Sequence, residues 1–453
     1  MEVKMIEKLF HLKENNTNAR TEVIAGLTTF MTMAYILAVN PTMLSAAGMD
    51  STAVLIATCL ASFVGTMAMA LLANYPFALA PGMGLNAYFA YTVCGNMGYS
   101  WKVALMAVFV EGIVFIVLSL TNVREAIFNA IPSTLKKGVS AGIGLFIGLQ
   151  GAHLVVSNSS TLVTYCDFAR NWHTQGICAV LALIGLIITV ILYIKGFKGA
   201  ILIGILVTWI LGMLSQALGI YQVNVKEGFY SLYPSMHMTD FSKIGETFGQ
   251  CFKADFHGVG ILNFIIVLCS FLFVDMFDTI GTLVGVSSKA GMLDENEKLP
   301  NIKPALLADA IATSAGAVIG TSTTTTYVES SAGVGAGGRT GLASAVTAIM
   351  FLLAIFFAPV FTAVPGFATA PALIFVGFLM LSAVVDIDFN DLTEAVPAYL
   401  TILAMPLMYS IAEGISIGII SYVVINLLCG KHKKNTVLMY VLAVLFICKY
   451  IFL

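Results

Sequence analysis

Stretches of about 20 apolar residues recur along this chain from Val23 to Cys429. A helix of that length spans the hydrocarbon core of a bilayer, where every backbone polar group must find its partner inside the protein. The 453 residues are 59% hydrophobic and 10% charged, which leaves too little polar surface to cover a water-soluble domain. The sequence therefore predicts an all-α, polytopic membrane protein.

We predict fourteen membrane spans in two halves of seven. The spans of the first half lie near residues 23–46, 51–73, 76–95, 101–120, 138–156, 176–194 and 199–220. The spans of the second half lie near residues 259–286, 304–320, 322–338, 341–361, 371–387, 393–410 and 412–429. Because seven is an odd number, the two halves must have opposite orientations in the membrane, as inverted repeats do. The sequence leaves open whether the last apolar segment, 436–453, crosses the membrane or lies in its interface.

The distribution of lysine and arginine predicts the orientation, because cytoplasmic loops carry the excess of these residues. With a cytoplasmic N-terminus, most of the basic residues in the loops and terminal segments lie on the cytoplasmic side. The exceptions are Lys102, Arg170, Lys226, Lys243 and Lys253. The first 22 residues carry both charge signs and no signal-peptide pattern, so we expect the first span to start insertion. We predict a multi-pass protein of the cell membrane with its N-terminus in the cytoplasm.

One span in each half is interrupted by residues that are poor helix formers. In span 10, residues 321–341 read TSTTTTYVESSAGVGAGGRTG. The β-branched and aromatic run from Thr323 to Val328 predicts a short strand, and the small residues after it predict a half-helix that begins near Ser330.

The corresponding span 3 contains NYPFALAPGMGLNAYFAYTV. Here we predict an extended segment from Tyr75 to Ala80 and a half-helix with Pro81 at its first position. Irregular backbone at membrane depth persists where it is buried or lines a cavity, so we expect the two strands to pair and both half-helices to face a polar ligand. Interrupted spans at matching positions of inverted repeats indicate a secondary transporter.

Acidic side chains inside the spans are costly and are therefore candidates for the site. Asp275 and Asp278 lie three residues apart on one face of span 8, and Glu329 ends the predicted strand of span 10. A carboxylate accepts two adjacent N–H donors, which suits a flat heterocycle, and it can also carry a proton. Supporting hydrogen bonds explain Asp278 and Asp309 equally well, and Asn86 either binds ligand or caps strand groups.

Other classes of site are disfavoured. The run GVGAGG has no βαβ unit around it and no GK[ST] after it, so we predict close helix packing rather than phosphate binding. The histidines are isolated and the eight cysteines lie singly, so we expect no metal and no cofactor. A pairing of Cys166 with Cys251 in the longest polar loops stays open. Neither an enzyme's nucleophile with its base nor a basic, aromatic nucleic-acid surface is apparent.

Three segments together carry a family resemblance: ALAPGMGLNAYFAYTV, FVDMFDTIGTLVGV and TTTTYVESSAGVGAGGRTG. They resemble the nucleobase–cation symporter family of uracil and xanthine permeases, and more closely its branch that carries hypoxanthine, guanine and adenine. The resemblance extends from Thr21 to about Leu453. It implies an elevator movement, proton coupling and a homodimer. It also implies a core domain of residues 23–137 with 259–361 and a gate domain of residues 138–220 with 371–429. Residues 1–22 would form a cytoplasmic segment, and residues 430–453 a C-terminal segment.

On this resemblance the binding acids fall on Asp275 and Glu329, a supporting acid falls on Asp278, and a polar residue of span 3 falls on Asn86. Ser330 stands where the uracil and xanthine branches carry asparagine, which favours the purine branch. Thr279 follows Asp278 where uracil carriers have histidine, so we expect no proton route through histidine.

These observations predict a proton-coupled purine permease. Glu329 and Asp275 would hold the N–H edge of the base, while N–H groups near Ser330 and Gly84 would meet its acceptors. Asp278 and Asp309 would support proton coupling. The alternative is an anion carrier of the same fold, because paired half-helix N-termini favour anions.

Overall fold

The structure is a computed structural model, and helices account for most of the residues it describes. The described residues are 7, 9–121, 132–156, 171–224, 229–234, 239–257, 259–290, 292, 299, 300, 302–408 and 410–452. Among them, eight helical segments are long and apolar enough to cross a membrane, and shorter apolar helices accompany them. Cys251 is buried, whereas Cys166 lies outside the described residues.

The elements of the first half follow the predicted spans in order. They are α1 (Ala19–Met33), α2 (Ile36–Ser45), α3 (Ser51–Ala68, continued by a wider helix to Ala73), β1 (Leu79–Pro81), α4 (Met83–Ala87, continued to Asn96), α5 (Trp101–Leu120), α6 (Ser133–Val156), α7 (Ile177–Ile194) and α8 (Ala200–Ala217). The helices α1 and α2 together form the first span. Polar side chains start two of the others, because Asp50 and Ser100 accept the N–H groups of Ala53 and Val103.

The second half repeats this order. Its elements are α9 (Ile261–Ala290), α10 (Ile302–Ile319), β2 (Thr324–Thr326), α11 (Ser330–Gly335), α12 (Gly341–Ala354), α13 (Ala358–Thr362), α14 (Gly366–Leu381), α15 (Leu392–Leu407), α16 (Ile411–Leu428) and α17 (Val437–Phe452). Each of the fourteen predicted spans therefore corresponds to a helix, or to a strand followed by a half-helix.

The two short strands pair with each other, as predicted. They are antiparallel, with Ala80 opposite Thr325. The half-helix α11 begins at Ser330, also as predicted. The expectation for Pro81 was wrong, because this residue ends β1 instead of starting a helix. The N–H of Gly82 donates to the carbonyl of Thr323 at 3.0 Å and so extends the ladder by one residue, which delays the helix to Met83.

The inverted repeat is visible in single hydrogen bonds. In α3, the Thr66 hydroxyl bonds both the N–H and the C=O of Leu79 in β1, at 2.9 and 3.0 Å. In α10, the Thr313 hydroxyl donates to the carbonyl of Thr324 in β2 at 3.1 Å. Since α3 and α10 form the second span of their halves, each strand is held by a threonine from the second span of its own half.

The helices pack in two groups. In one group α1 packs on α12, α3 on α10 and α12, and α5 on α10. In the other group α6 packs on α14 and α15, α7 on α8 and α14, and α15 on α16. The groups contain the spans expected for the core and the gate, respectively. Their independence as moving domains stays a prediction.

The last apolar segment forms α17, which runs antiparallel to α16. Just before α17, the Asn435 side chain donates to the carbonyl of Val423 in the last turns of α16, at 3.1 Å. Near the end of α17, the Tyr450 hydroxyl bonds the carboxylate of Glu413 in the first turn of α16. The helix therefore follows α16 along its length, and it belongs to the shorter apolar helices rather than to the eight candidate spans.

Candidate functional site

A cavity of about 610 Å³ lies between the two helix groups, beside the paired strands. The first group contributes Thr32, Tyr35, Met83, Gly84, Asp278, Thr282, Thr326, Tyr327, Val328, Glu329, Ser331 and Ala332. The second group contributes Ser140, Val376, Leu379, Met380, Ser382, Ala383, Asp386 and residues of the turn between α7 and α8. Among the described residues that line the cavity there are three acids and no lysine or arginine.

Glu329 lies between the strand β2 and the half-helix α11. Its backbone precedes the first residue of α11, but its side chain makes no capping hydrogen bond. Instead, the Tyr35 hydroxyl donates to Glu329 Oε1 at 2.7 Å, and the Thr32 hydroxyl lies 3.5 Å from the Glu329 carbonyl oxygen. The Glu329 side chain lines the cavity, so its carboxylate is within reach of a ligand there.

Asp278 is the second acid on the cavity wall, and it lies next to Gly82. A Cβ at Gly82 would lie 3.4 Å from Asp278 Oδ2 and only 2.7 Å from Thr325 Cγ2. A side chain at this position would therefore clash with β2, while its contact with Asp278 would be an ordinary one. No donor in the described part of the chain reaches the Asp278 carboxylate. The charges of Asp309 and Glu329 both act on it, so negative charge concentrates here.

Asp275 lies one turn earlier on α9 and is fully buried, behind the cavity wall. Its Oδ1 is 3.0 Å from the hydroxyl of Thr279. The same hydroxyl lies 3.1 and 3.0 Å from the two oxygens of Asp309 and 2.6 Å from the hydroxyl of Thr325. The Thr326 hydroxyl approaches Asp309 Oδ1 at 3.5 Å. The structure thus joins Asp275 and Asp309 in one buried cluster, which we call the Thr279 cluster.

The other predicted ligand residues lie at the crossing of the two interrupted spans. The Asn86 side chain accepts a hydrogen bond from the Ser322 hydroxyl and donates to the Pro81 carbonyl at 3.4 Å. Ser330 Oγ accepts the N–H of Ala78 at 3.0 Å. Both side chains lie behind the cavity wall, whereas Gly84 lines the cavity. Their contacts with a ligand stay predictions.

The threonine-rich run is anchored to several helices, one residue at a time. Its hydrogen bonds join Thr321 to Asn40 at 3.1 Å, Thr323 to Glu111 at 2.8 Å, Thr325 to Thr279 at 2.6 Å, and the Tyr327 hydroxyl to the Pro81 carbonyl at 2.5 Å. Side chains that are both β-branched and hydrogen-bonding suit this task, because they favour an extended backbone and satisfy polar groups inside the membrane. The run therefore builds the rigid wall from which Glu329 projects.

Sequence reasoning missed Tyr35. It stands in an apolar stretch, AYILAV, where an aromatic residue is more often part of the core than of a site. Only the fold brings its hydroxyl to Glu329. No group of His, Cys, Asp and Glu within the described chain has the arrangement of a metal site.

Comparison with known proteins identifies relatives along the chain. The permease family model matches residues 20–417. The guanine/hypoxanthine permease PbuG of Bacillus subtilis is 46% identical, with 99% of this chain and 100% of the relative covered. The guanine/hypoxanthine permease PbuO of the same species is 45% identical, with 97% and 98% covered. The adenine permease AdeP of Escherichia coli is 42% identical, with 99% and 96% covered.

Two solved structures have a similar fold. The transmembrane domain of the cyanobacterial bicarbonate transporter BicA gives a TM-score of 0.63 at 15% identity, covering 88% of this chain and 97% of that domain. The murine anion transporter Slc26a9 in its inward-facing state gives 0.62 at 11% identity, covering 90% and 68%. At such low identity these similarities concern the fold alone.

Proposed function

The chain belongs to the permease family, and from that premise we propose that it is a secondary transporter that imports purine nucleobases. A permease moves its substrate across the membrane unchanged, so the chain is not an enzyme. The relatives named above carry guanine, hypoxanthine or adenine according to their names, and they match this chain over nearly its whole length.

One observation carries the proposal: Glu329 and Asp278 face the same cavity without a basic residue among its described lining. A neutral purine presents N–H groups along its edges, and carboxylates accept such donors strongly. The 610 Å³ cavity has the size of a small-molecule site. We therefore give substrate contact to Glu329 and Asp278, while the contact predicted for Asp275 awaits a transport assay.

The orientation and the movement belong to the same proposal. The cavity reaches the turn between α7 and α8, which carries Lys195 and Lys198. If these lysines lie in the cytoplasm, as their charge indicates, the N-terminus is also cytoplasmic and the cavity faces inward. We propose that the first helix group moves past the second as an elevator in the cell membrane, with the proton as coupling ion and with the second group forming a homodimer.

An anion carrier of the same fold is less well supported. Its site would need donors and positive charge, whereas Asp278, Glu329 and Asp386 line this cavity. A bound anion would face these acids across a medium of low dielectric constant, where repulsion is strong.

Uptake into cells that lack their own purine carriers tests the proposal. Radiolabelled hypoxanthine should accumulate, unlabelled adenine or guanine should compete more strongly than xanthine or uracil, and a protonophore should abolish accumulation. Glu329→Gln should remove high-affinity uptake. Glu394→Gln is the matched control, because Glu394 also accepts a tyrosine hydroxyl, that of Tyr422 at 2.8 Å, but lies outside the cavity. Absence of uptake of every base, with transport of sulfate or a dicarboxylate, would favour the anion carrier.

A further inference from the structure

We infer that Asp275 and Asp309 share one proton through the hydroxyl of Thr279, and that this cluster holds the coupling proton apart from the acids that contact substrate. The inference rests on the proposed function and specifies where its proton resides. It assigns Thr279, which has no contact with the cavity, the central role in coupling.

The geometry brings both acids to a single hydroxyl group. Thr279 Oγ1 lies 3.0 Å from Asp275 Oδ1 and 3.0 Å from Asp309 Oδ2, and both carboxyl groups are fully buried. Asp275 and Thr279 are one turn apart on α9, whereas Asp309 comes from α10. The Thr279 hydroxyl therefore bridges two helices.

Counting protons shows why this arrangement favours one shared proton over two ionised acids. Thr279 has one hydroxyl proton, so it can donate to only one carboxylate at a time. If both acids were charged, an oxygen of the second carboxylate would face a lone pair of Thr279 Oγ1 at about hydrogen-bond distance. A proton on the second acid removes this conflict, because that acid then donates to Thr279 while Thr279 donates to its neighbour. Thr325 Oγ1, 2.6 Å from Thr279 Oγ1, can donate to the second lone pair of the Thr279 hydroxyl in this arrangement.

The surrounding titratable groups favour retention of this proton. Asp278 interacts electrostatically with Asp309 and Glu329, and Glu111 approaches from α5 through Thr323. The phenols of Tyr35 and Tyr327 lie on the cavity side, close to Asp278 and Glu329. Every acid in this set would add negative charge beside the cluster, so loss of the proton is unfavourable until the surroundings change.

The cluster is also connected to the substrate. Thr325 bonds Thr279 at 2.6 Å, while its neighbour Thr326 approaches Asp309 at 3.5 Å and lines the cavity. Both belong to β2, which leads directly to Glu329. A change of protonation that rearranges these hydroxyl groups thus acts on the strand that positions the substrate acid. In the coupling step, one carboxylate takes up a proton with the substrate and releases it to the opposite side.

Purified protein in liposomes provides the test. Thr279→Val removes the hydroxyl with little change in shape, and Thr279→Ser retains it. Thr208→Val is the control, because Thr208 donates to its own helix carbonyl at Gly204, 2.7 Å away in α8, far from either acid. Two rates are compared: exchange of labelled for unlabelled hypoxanthine without a gradient, and accumulation driven by a pH gradient.

We expect Thr279→Val to exchange hypoxanthine but to lose accumulation by at least about tenfold, the change that follows loss of a hydrogen bond to a charged group. Its exchange rate should also lose the pH dependence of the wild type, a readout that a merely structural role would not alter. Thr279→Ser and Thr208→Val should accumulate normally. If Thr279→Val does not fold, Asp309→Asn should show the same separation of exchange from accumulation.

Three outcomes have distinct meanings. Normal accumulation by Thr279→Val overturns the inference. If Thr279→Val and Asp309→Asn both fold but lose exchange and accumulation equally, the inference is also overturned. The cluster would then serve substrate binding or structure rather than proton coupling. If the wild-type protein exchanges no purine, the proposed function itself is wrong.

Discussion

At the scale of single residues, the site depends on a tyrosine that fixes a glutamate. Tyr35 is buried and donates to one oxygen of Glu329, whose carboxylate lines the cavity. The entropy cost of ordering the Glu329 side chain is therefore met before the substrate binds, which is the usual effect of preorganisation. A ligand therefore meets a carboxylate that already has its binding orientation.

Removing this hydroxyl should weaken substrate binding. For Tyr35→Phe we expect KM for the transported base to rise about 10- to 100-fold, since a hydrogen bond to a charged group contributes about 1.5–3 kcal/mol. The measurement is initial uptake rate against substrate concentration, normalised to the protein in the membrane. Tyr422→Phe removes an equivalent bond to Glu394 and should leave KM unchanged. An unchanged KM in Tyr35→Phe would show that Glu329 needs no such support.

The residue scale is also where the sequence was least informative. Asp275 and Asp278 lie on the same α9, and their three-residue spacing places both near one face. Which of them reaches the cavity depends on how α9 is rotated, and that rotation is set by packing against α5, α11 and β2. Tyr35 is separated from Glu329 by 294 residues, so no local pattern could reveal their contact.

At the scale of secondary-structure elements, the sequence predicted more of the structure than it did for single side chains. The strand and half-helix of span 10 follow from local preferences, because β-branched residues disfavour helix and small residues permit it. The start of α11 at Ser330 was therefore predictable. Pro81 was not, because its place in β1 depends on the bond from Gly82 to Thr323, in the other half of the chain.

Close helix packing gives a prediction at this scale. The helices α6 and α14 cross at Gly144 and Gly377, where a Cβ on either residue would lie 2.5 Å from the carbonyl oxygen of the other. Gly377→Ala should lower stability by about 1–3 kcal/mol, the usual cost of overpacking. Thermal unfolding of the purified protein measures the change.

A matched control exists one turn away on α6. At Gly148, the nearest atom to an added Cβ is the Ile374 carbonyl oxygen at 4.0 Å. Gly148→Ala should therefore be neutral or slightly stabilising, since alanine favours helix. Equal melting temperatures of Gly377→Ala and Gly148→Ala would contradict this account of the crossing.

The turn between α16 and α17 is held by charges that respond to pH. Asp391 bonds Lys434 at 2.9 Å and Lys431 at 3.2 Å. The bonds from Lys434, Thr393 and Lys431 hold the pKa of Asp391 below its usual range. A lowered pKa in the folded protein means that this contribution is present above the unfolded pKa, about 3.9, and is lost as the pH falls through the folded value.

We therefore expect the turn to open more readily below about pH 4. The measurement is the hydrogen-exchange rate of residues 429–436 in the wild type and in Asp391→Asn at the same pH. The ratio of the wild-type rate to the variant rate should be low near neutral pH and should approach one at acid pH. Because the pair is exposed, high salt should reduce the difference. A ratio that does not vary with pH would exclude Asp391 as the titrating group.

At the scale of the whole molecule, the path of α17 determines on which side of the membrane Leu453 lies. If α17 crosses the membrane beside α16, it adds one pass to the fourteen predicted for the two repeats, and the two ends of the chain then lie on opposite faces. An epitope tag before Met1 should be protected from protease in intact cells, whereas a tag after Leu453 should be digested. Deletion of residues 437–453 moves the second tag to the protected face and serves as the control. Protection of both tags in the full chain would mean that α17 does not cross.

The pairing of β1 with β2 also has a consequence for synthesis. Ala78 and Ser330, which hydrogen-bond across the strands, are 252 residues apart. At about 5–20 residues per second, the first strand waits roughly 13 to 50 seconds for its partner. Thr66 is only 13 residues from Leu79 and bonds both its N–H and its C=O, so the nascent chain carries a partner for this strand before β2 has been made.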